Sequence, residues 1–144
     1  MTWRLCAVAG SVLALSLTAC SPGPSHETTV KVDCEEFQAS EQDTAVVARE
    51  IAVSNGAVVE LWLCSNPSTG FEWEETELSD ASVLKETFHE FVAQDSAKVG
   101  AAGQEHWTFE ATSSGHCSVS LRYSQPWEGG EKDAWEFTLD VQAS

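Results

Sequence analysis

Five cysteines and four histidines are the groups in this chain that could most readily carry out chemistry. Cys117 adjoins His116, the thiol and imidazole that an activated nucleophile requires. Both fall in an alternating, strand-like run, where neighbours point to opposite faces, so this base cannot serve this thiol. His26, His89, His106 and His116 have no tight ligand spacing, so no metal or cofactor is expected. His89 and His106, on strands, read as solvent-facing or satisfied in the core. Glu72, Glu74, Glu75 and Glu77 read as a solvated face, because nothing sets two carboxylates across a cleft. The reactive residue types therefore assemble no active site, and the chain is read as a binder rather than an enzyme.

Three stretches carry the chemistry of recognition instead. Asn66-Pro67-Ser68-Thr69-Gly70 joins two alternating runs. Pro67 fixes its own φ and pushes Asn66 toward extended geometry. Gly70 allows a positive φ where the chain turns back, leaving Ser68 and Thr69 short and polar at the tip. Such a loop is stiff before it meets a partner, so little ordering entropy is lost on binding. Gly100-Ala101-Ala102-Gly103 has no bulky side chain and can bring backbone N–H and C=O groups close to a partner. Gln125-Pro126-Trp127 is the third stretch, with a large apolar ring at the tip of a loop.

The elements that must position these loops are short strands. Thr28 to Asp33 alternates weakly. Ala45 to Val53 is a strand ending at the turn signal Asn55-Gly56. Val58 to Cys64 and Phe71 to Glu75 flank the first loop. His106 to Thr112, Cys117 to Tyr123 and Ala134 to Val141 alternate cleanly. Leu78 to Val92 is ambiguous. Val83, Leu84, Thr87, Phe88, Phe91 and Val92 form a helical stripe that Asp80 could cap. The other reading is a helical turn at Ser79 to Ser82 and a strand from Leu84 to Val92. Trp73, Trp107 and Trp135 are expected mostly in the core, with Trp62 and Trp127 exposed. The whole reads as an all-β, antiparallel β-sandwich of about seven to eight strands. Loops 65–70, 93–103 and 124–132 are separated by even numbers of strand crossings, which gathers them at one end.

The first residues give an address. Arg4 is followed by an apolar run, Leu5 to Leu17, too short to span a bilayer comfortably. Leu17-Thr18-Ala19-Cys20 resembles the bacterial lipobox. That resemblance implies a signal segment over 1–19, a lipidated Cys20, and a domain held outside the cytoplasm at a bacterial membrane. A plain secretory signal cut after Ala19 is the alternative. Residues 20–29 read as lipidated Cys and flexible tether, leaving 30–144 as one folded domain. The formal net charge is −16, and becomes one unit more negative when the segment bearing Arg4 is removed. That balance excludes a nucleic-acid face and disfavours lying directly on anionic lipid. Cys34, Cys64 and Cys117 remain in an oxidising or exposed compartment, giving one disulfide and one leftover thiol whose pairing the spacing does not choose.

Taken in order, the three loops resemble those of the chagasin-like inhibitors of papain-family cysteine proteases. That family carries an Asn-Pro-Thr-Thr-Gly loop, a Gly-x-Gly-Gly loop and an Arg-Pro-Trp loop. Here Ser68 replaces the first Thr, Ala101 and Ala102 stand without a second central Gly, and Gln125 replaces Arg, removing a forked cation. The resemblance implies an immunoglobulin-like sandwich, and a strand rather than a helix leading into the Gly-Ala-Ala-Gly loop. It implies a reversible, non-covalent wedge into the active-site cleft of a papain-like protease by a monomer. In that wedge Thr69 lies over the catalytic Cys and His, the 100–103 strip bonds through its backbone, and Trp127 packs on an aromatic surface. It also implies a Cys34–Cys64 disulfide with Cys117 free and buried. The runner-up pairing is Cys64–Cys117. A lipid-anchored binding or adhesion module without inhibitory activity is the alternative function.

Overall fold

The computed structural model describes residues 25–39, 45–94 and 100–144. The signal segment and Cys20 lie outside the described residues. Eight strands account for most of the described chain: β1 (Ser25–Val32), β2 (Ala45–Ser65), β3 (Glu72–Trp73), β4 (Glu77–Leu78), β5 (Leu84–Val92), β6 (Gly103–Ala111), β7 (Gly115–Ser124) and β8 (Trp135–Ala143). A short helix, α1 (Cys34–Gln38), follows β1.

The fold turns on β2, which is 21 residues long and belongs to both layers. Its first half pairs in parallel with β8, from Ala45↔Trp135 to Val53↔Ala143. Its second half lies between β1, parallel, and β6, antiparallel. β8 continues to β7, whose far edge carries β3 and β4, while β6 continues to β5. The result is one sheet curled into two facing layers, the immunoglobulin-like arrangement. The expected antiparallel pattern holds except at β1–β2 and β2–β8.

Two further expectations are corrected. Asn55-Gly56 does not reverse the chain. Asn55 N–H donates to Ser144 O (2.8 Å), closing the ladder with β8, and Gly56 at φ +83° bends β2 into the other layer. A hairpin would need the flanking runs to pair with each other, and each already has another partner. Residues 25–29, expected within the tether, are strand: β1 starts at Ser25 and pairs from Glu27↔Val58 to Val32↔Leu63, and the rest of the expected tether lies outside the described residues.

The ambiguous segment is a turn and a strand. Asp80 Oδ1 accepts from Ser82 N (2.9 Å) and Ser82 Oγ (2.6 Å), and β5 follows. A bulge between Glu86 and Phe88 shifts the alternation, which gave the sequence its helical look. β5 is an edge strand, so Phe88 and Phe91 stay exposed.

Val59, Leu61 and Leu63 of β2 form one core with Trp107 and Phe109 of the neighbouring β6, Val119 and Leu121 of β7, and Phe137 and Leu139 of β8. Each such side chain contributes about 1.5–3 kcal/mol by leaving water. One end of the core is closed by α1. Phe37 is buried and stacks on Trp135 (centroids 4.9 Å) beside Trp73 (5.5 Å). A Cys34–Cys64 disulfide ties the helix to the end of β2, and Cys117 is unbridged and buried.

Candidate functional site

The first loop is a single 3-10 turn, Pro67–Thr69, ended by Gly70 at φ +82°. Thr69 N–H donates to Asn66 O (3.1 Å) and Thr69 Oγ1 donates to the same oxygen (2.7 Å). Gly70 N–H donates to Pro67 O (3.0 Å). The root is fixed from below: Asn66 N–H donates to the hydroxyl of Tyr123 (2.8 Å), and Trp73 Nε1–H donates to Cys64 O (3.0 Å). Local bonds therefore hold the loop in one shape while Pro67, Ser68 and Thr69 face solvent.

The other two loops touch the first. Ser68 Oγ lies 2.6 Å from Asn66 Oδ1 and 3.3 Å from Gly100 O, which joins the tip to the small-residue strip. Ala102 and Thr69 line one cavity with Asn66, Phe71 and Tyr123. At Gly103 a β-carbon would fall 2.5 Å from the Phe91 ring and 2.6 Å from Val92 O, so the strip needs glycine where β6 begins. On the other flank Trp127, 49 % exposed, sets its ring against Gly70. All three loops meet at the end of the sandwich that the crossing count assigns them.

The third loop is braced from within. Gln125 N–H donates to Glu131 O (2.7 Å), and Gln125 Oε1 accepts from Glu131 N–H (2.9 Å). Lys132 Nζ reaches the carbonyls of Gln125 and Trp127. Buried Ser124 Oγ accepts from Asp133 N–H (2.9 Å). Gln125, at the position where the resemblance has a cation, thus has its amide oxygen occupied within its own loop.

Several supporting residues were not singled out from the sequence. Tyr123 ends the alternating run 117–123 with its ring in the core, and its hydroxyl also anchors the first loop. Ser65, next to Asn66, donates to Glu105 Oε1 (3.3 Å), and Glu105 Oε2 lies 2.7 Å from His89 Nε2. His89 also stacks on Trp107 at 4.6 Å. His106 stacks on Trp62 at 3.9 Å, which leaves that outward tryptophan half-buried rather than exposed. His116 is exposed and lies 3.5 Å from Asp140 Oδ1, on the face opposite Cys117. Glu72, Glu74, Glu75 and Glu77 are all exposed, and Glu77 pairs with Arg122 (2.5 Å).

A model of the chagasin family of peptidase inhibitors, I42, matches residues 52–141. The chain belongs to the chagasin family. The match contains all three loops. Chagasin of Trypanosoma cruzi is 33 % identical over 97 residues, covering 65 % of this chain and 88 % of that protein. The crystal structure of the cysteine protease inhibitor EhICP2 from Entamoeba histolytica superposes with a TM-score of 0.62 at 22 % identity, over 85 % of this chain and 100 % of that one. PbICP-C, solved in complex with falcipain-2, superposes with a TM-score of 0.58 at 11 % identity, over 81 % and 99 %. At those identities the likeness to the solved structures is one of fold. Membership makes this chain an inhibitor of peptidases rather than an enzyme.

Proposed function

We propose that this chagasin-family inhibitor acts on papain-like cysteine proteases, reversibly and without covalent chemistry, by inserting its three-loop end into the active-site cleft. The supporting observation is the contact of the loops with one another. Ser68 meets Gly100 and Gly70 meets Trp127, so one blunt edge carries a polar tip, a bare backbone strip and an apolar ring. In this reading Thr69 covers the catalytic cysteine and histidine. It presents no carbonyl in attack geometry, so the thiolate has nothing to cleave. Ala101 and Ala102 run beside the cleft, with Gly100 and Gly103 at either end of the strip. Trp127 is the anchor, since buried aromatics dominate such interfaces.

The lipobox-like run at Cys20 supports a lipid anchor outside the cytoplasm of a bacterial cell, with the acidic domain held away from the membrane. Metabolic labelling with palmitate tests the anchor, which predicts incorporation into the protein and none into Cys20→Ser. Titrating the protein into papain with a fluorogenic substrate tests the inhibition. Reversible loss of activity with the inhibitor recovered intact is expected. An unaffected protease would leave a binding module with no inhibitory action.

A further inference from the structure

Behind the tip of the first loop lies a cavity of about 280 Å3 whose walls include α1, Phe71, Tyr123 and Trp135 as well as Thr69 and Ala102. We propose that it is a socket for one apolar side chain, of the size of Leu, Met or Phe, standing on the rim of the target protease's cleft. The inference rests on the inhibitory reading and adds to it a determinant of which protease is preferred.

Four observations carry it. The first is chemical. In a chain of net charge −16, no charged side chain among the described residues lines this cavity, and the walls they form are almost wholly apolar. The polar groups nearby are engaged with each other: Asn66 N–H with Tyr123 Oη, and Thr69 Oγ1 with Asn66 O. Only the Gln38 amide at the α1 edge is left to pair with a polar occupant, so a polar or charged group would lose water for little return across walls that are otherwise apolar. The second is rigidity. Phe71 stacks on Tyr123 (5.5 Å) and Tyr123 on Trp135 (4.6 Å), so the walls are formed before anything enters. The third is size, which falls just short of the roughly 300–1,000 Å3 typical of small-molecule sites and leaves room for one large apolar side chain.

The fourth is position. Exposed Thr69 and half-buried Ala102 belong to the loops that the proposed wedge drives against the protease, so the socket is continuous with that surface. Its other side is built by Cys34 and Gln38 of α1, outside residues 52–141 that the family model matches. The socket is therefore an addition to the three-loop wedge. A protease that fills it gains an apolar contact, and one with a polar rim residue there does not.

The test is a set of inhibition constants for the full chain, Gln38→Phe and Trp127→Ala against several papain-like proteases that differ in their cleft-rim side chains. Gln38→Phe fills the socket from the α1 side while leaving every residue of the three loops unsubstituted. The expected result is about a tenfold or greater loss against the best-inhibited protease, a narrower spread across the panel and an unchanged melting temperature. If Gln38→Phe proves unstable, Gln38→Leu is expected to show the same loss to a smaller degree. A folded filling variant with unchanged constants throughout, while Trp127→Ala weakens them, overturns the socket and leaves the wedge standing. A full chain that inhibits none of the panel removes both. A lipid or detergent molecule retained in the cavity by the purified protein also overturns the proposal, since the socket would then have another occupant.

Discussion

Trp127 lies against Gly70 so closely that a β-carbon on residue 70 would stand 2.5 Å from ring carbon Cη2. The third loop thus rests on the first, and glycine at position 70 serves both the positive φ and the contact. Gly70→Ala is expected to lower stability by about 1 kcal/mol through the backbone alone. It should also displace Trp127 and weaken inhibition. In a Trp127→Ala background the steric part disappears, so the two changes are not additive. A double-mutant cycle on the inhibition constant checks this, and strictly additive losses would count against the contact.

Trp127→Ala alone should weaken inhibition by on the order of 2 kcal/mol or more, with folding unaffected because the ring is half exposed. Thr69→Glu should weaken it further, because a carboxylate would be desolvated against the thiolate of the protease. Equal potency of Thr69→Glu and the parent would remove the tip from the catalytic centre.

Tyr123→Phe isolates the anchor of the first loop. It keeps the stack on Phe71 and Trp135 and deletes the acceptor of Asn66 N–H. The orphaned donor costs about 1–3 kcal/mol. Urea unfolding should register that loss, and slower association with the protease should accompany it as the loop becomes less ordered. Unchanged stability would mean that water replaces the hydroxyl at no penalty.

The Cys34–Cys64 bond, across a sequence separation of 30, holds α1 and its buried Phe37 over the end of the core. Replacing both cysteines by serine should lower stability by about 3–4 kcal/mol on the chain-entropy account. The lost protection in hydrogen exchange should concentrate around Phe37, Trp73 and Trp135. Uniform loss across all strands would show that the bond does not hold α1 on the core locally.

Acid should loosen the turn before β5. The hydrogen bonds that Asp80 accepts from the Ser82 side chain and backbone hold its carboxyl below the ordinary 3.8. A depressed folded value means that the stabilisation is fully present above the ordinary value. It is lost as pH falls through the folded one. Asp80→Asn should therefore flatten the dependence of stability on pH below about 4, as followed by urea titrations at successive pH values. An unchanged slope would show that this carboxylate does not contribute.

The parts of the molecule that could be read from the residues are those set by local rules. Val59, Leu61 and Leu63 alternate because one face of β2 is buried, and Pro67 with Gly70 shapes its loop wherever it sits. Counting strand crossings brought Ser68, Gly100 and Trp127 to one end. What stayed hidden depends on partners distant in sequence. Asn55-Gly56 has the composition of a hairpin turn, and only the ladder to Ser144 makes it a bend within a long strand. Phe37 sits in a polar, acidic stretch, and nothing local says that it meets Trp135 nearly a hundred residues later. Tyr123 looked complete as a core residue, since parity fixes a side chain's face and says nothing of what its hydroxyl reaches.

The most direct measurement is binding to papain whose cleft has been filled by a covalently attached peptidyl inhibitor, beside papain whose catalytic thiol carries only a methyl group. Binding should vanish in the first case and persist, weakened, in the second, because the wedge needs the groove and not the nucleophile. Full affinity for the filled enzyme would place the contact elsewhere on the protease and contradict the account.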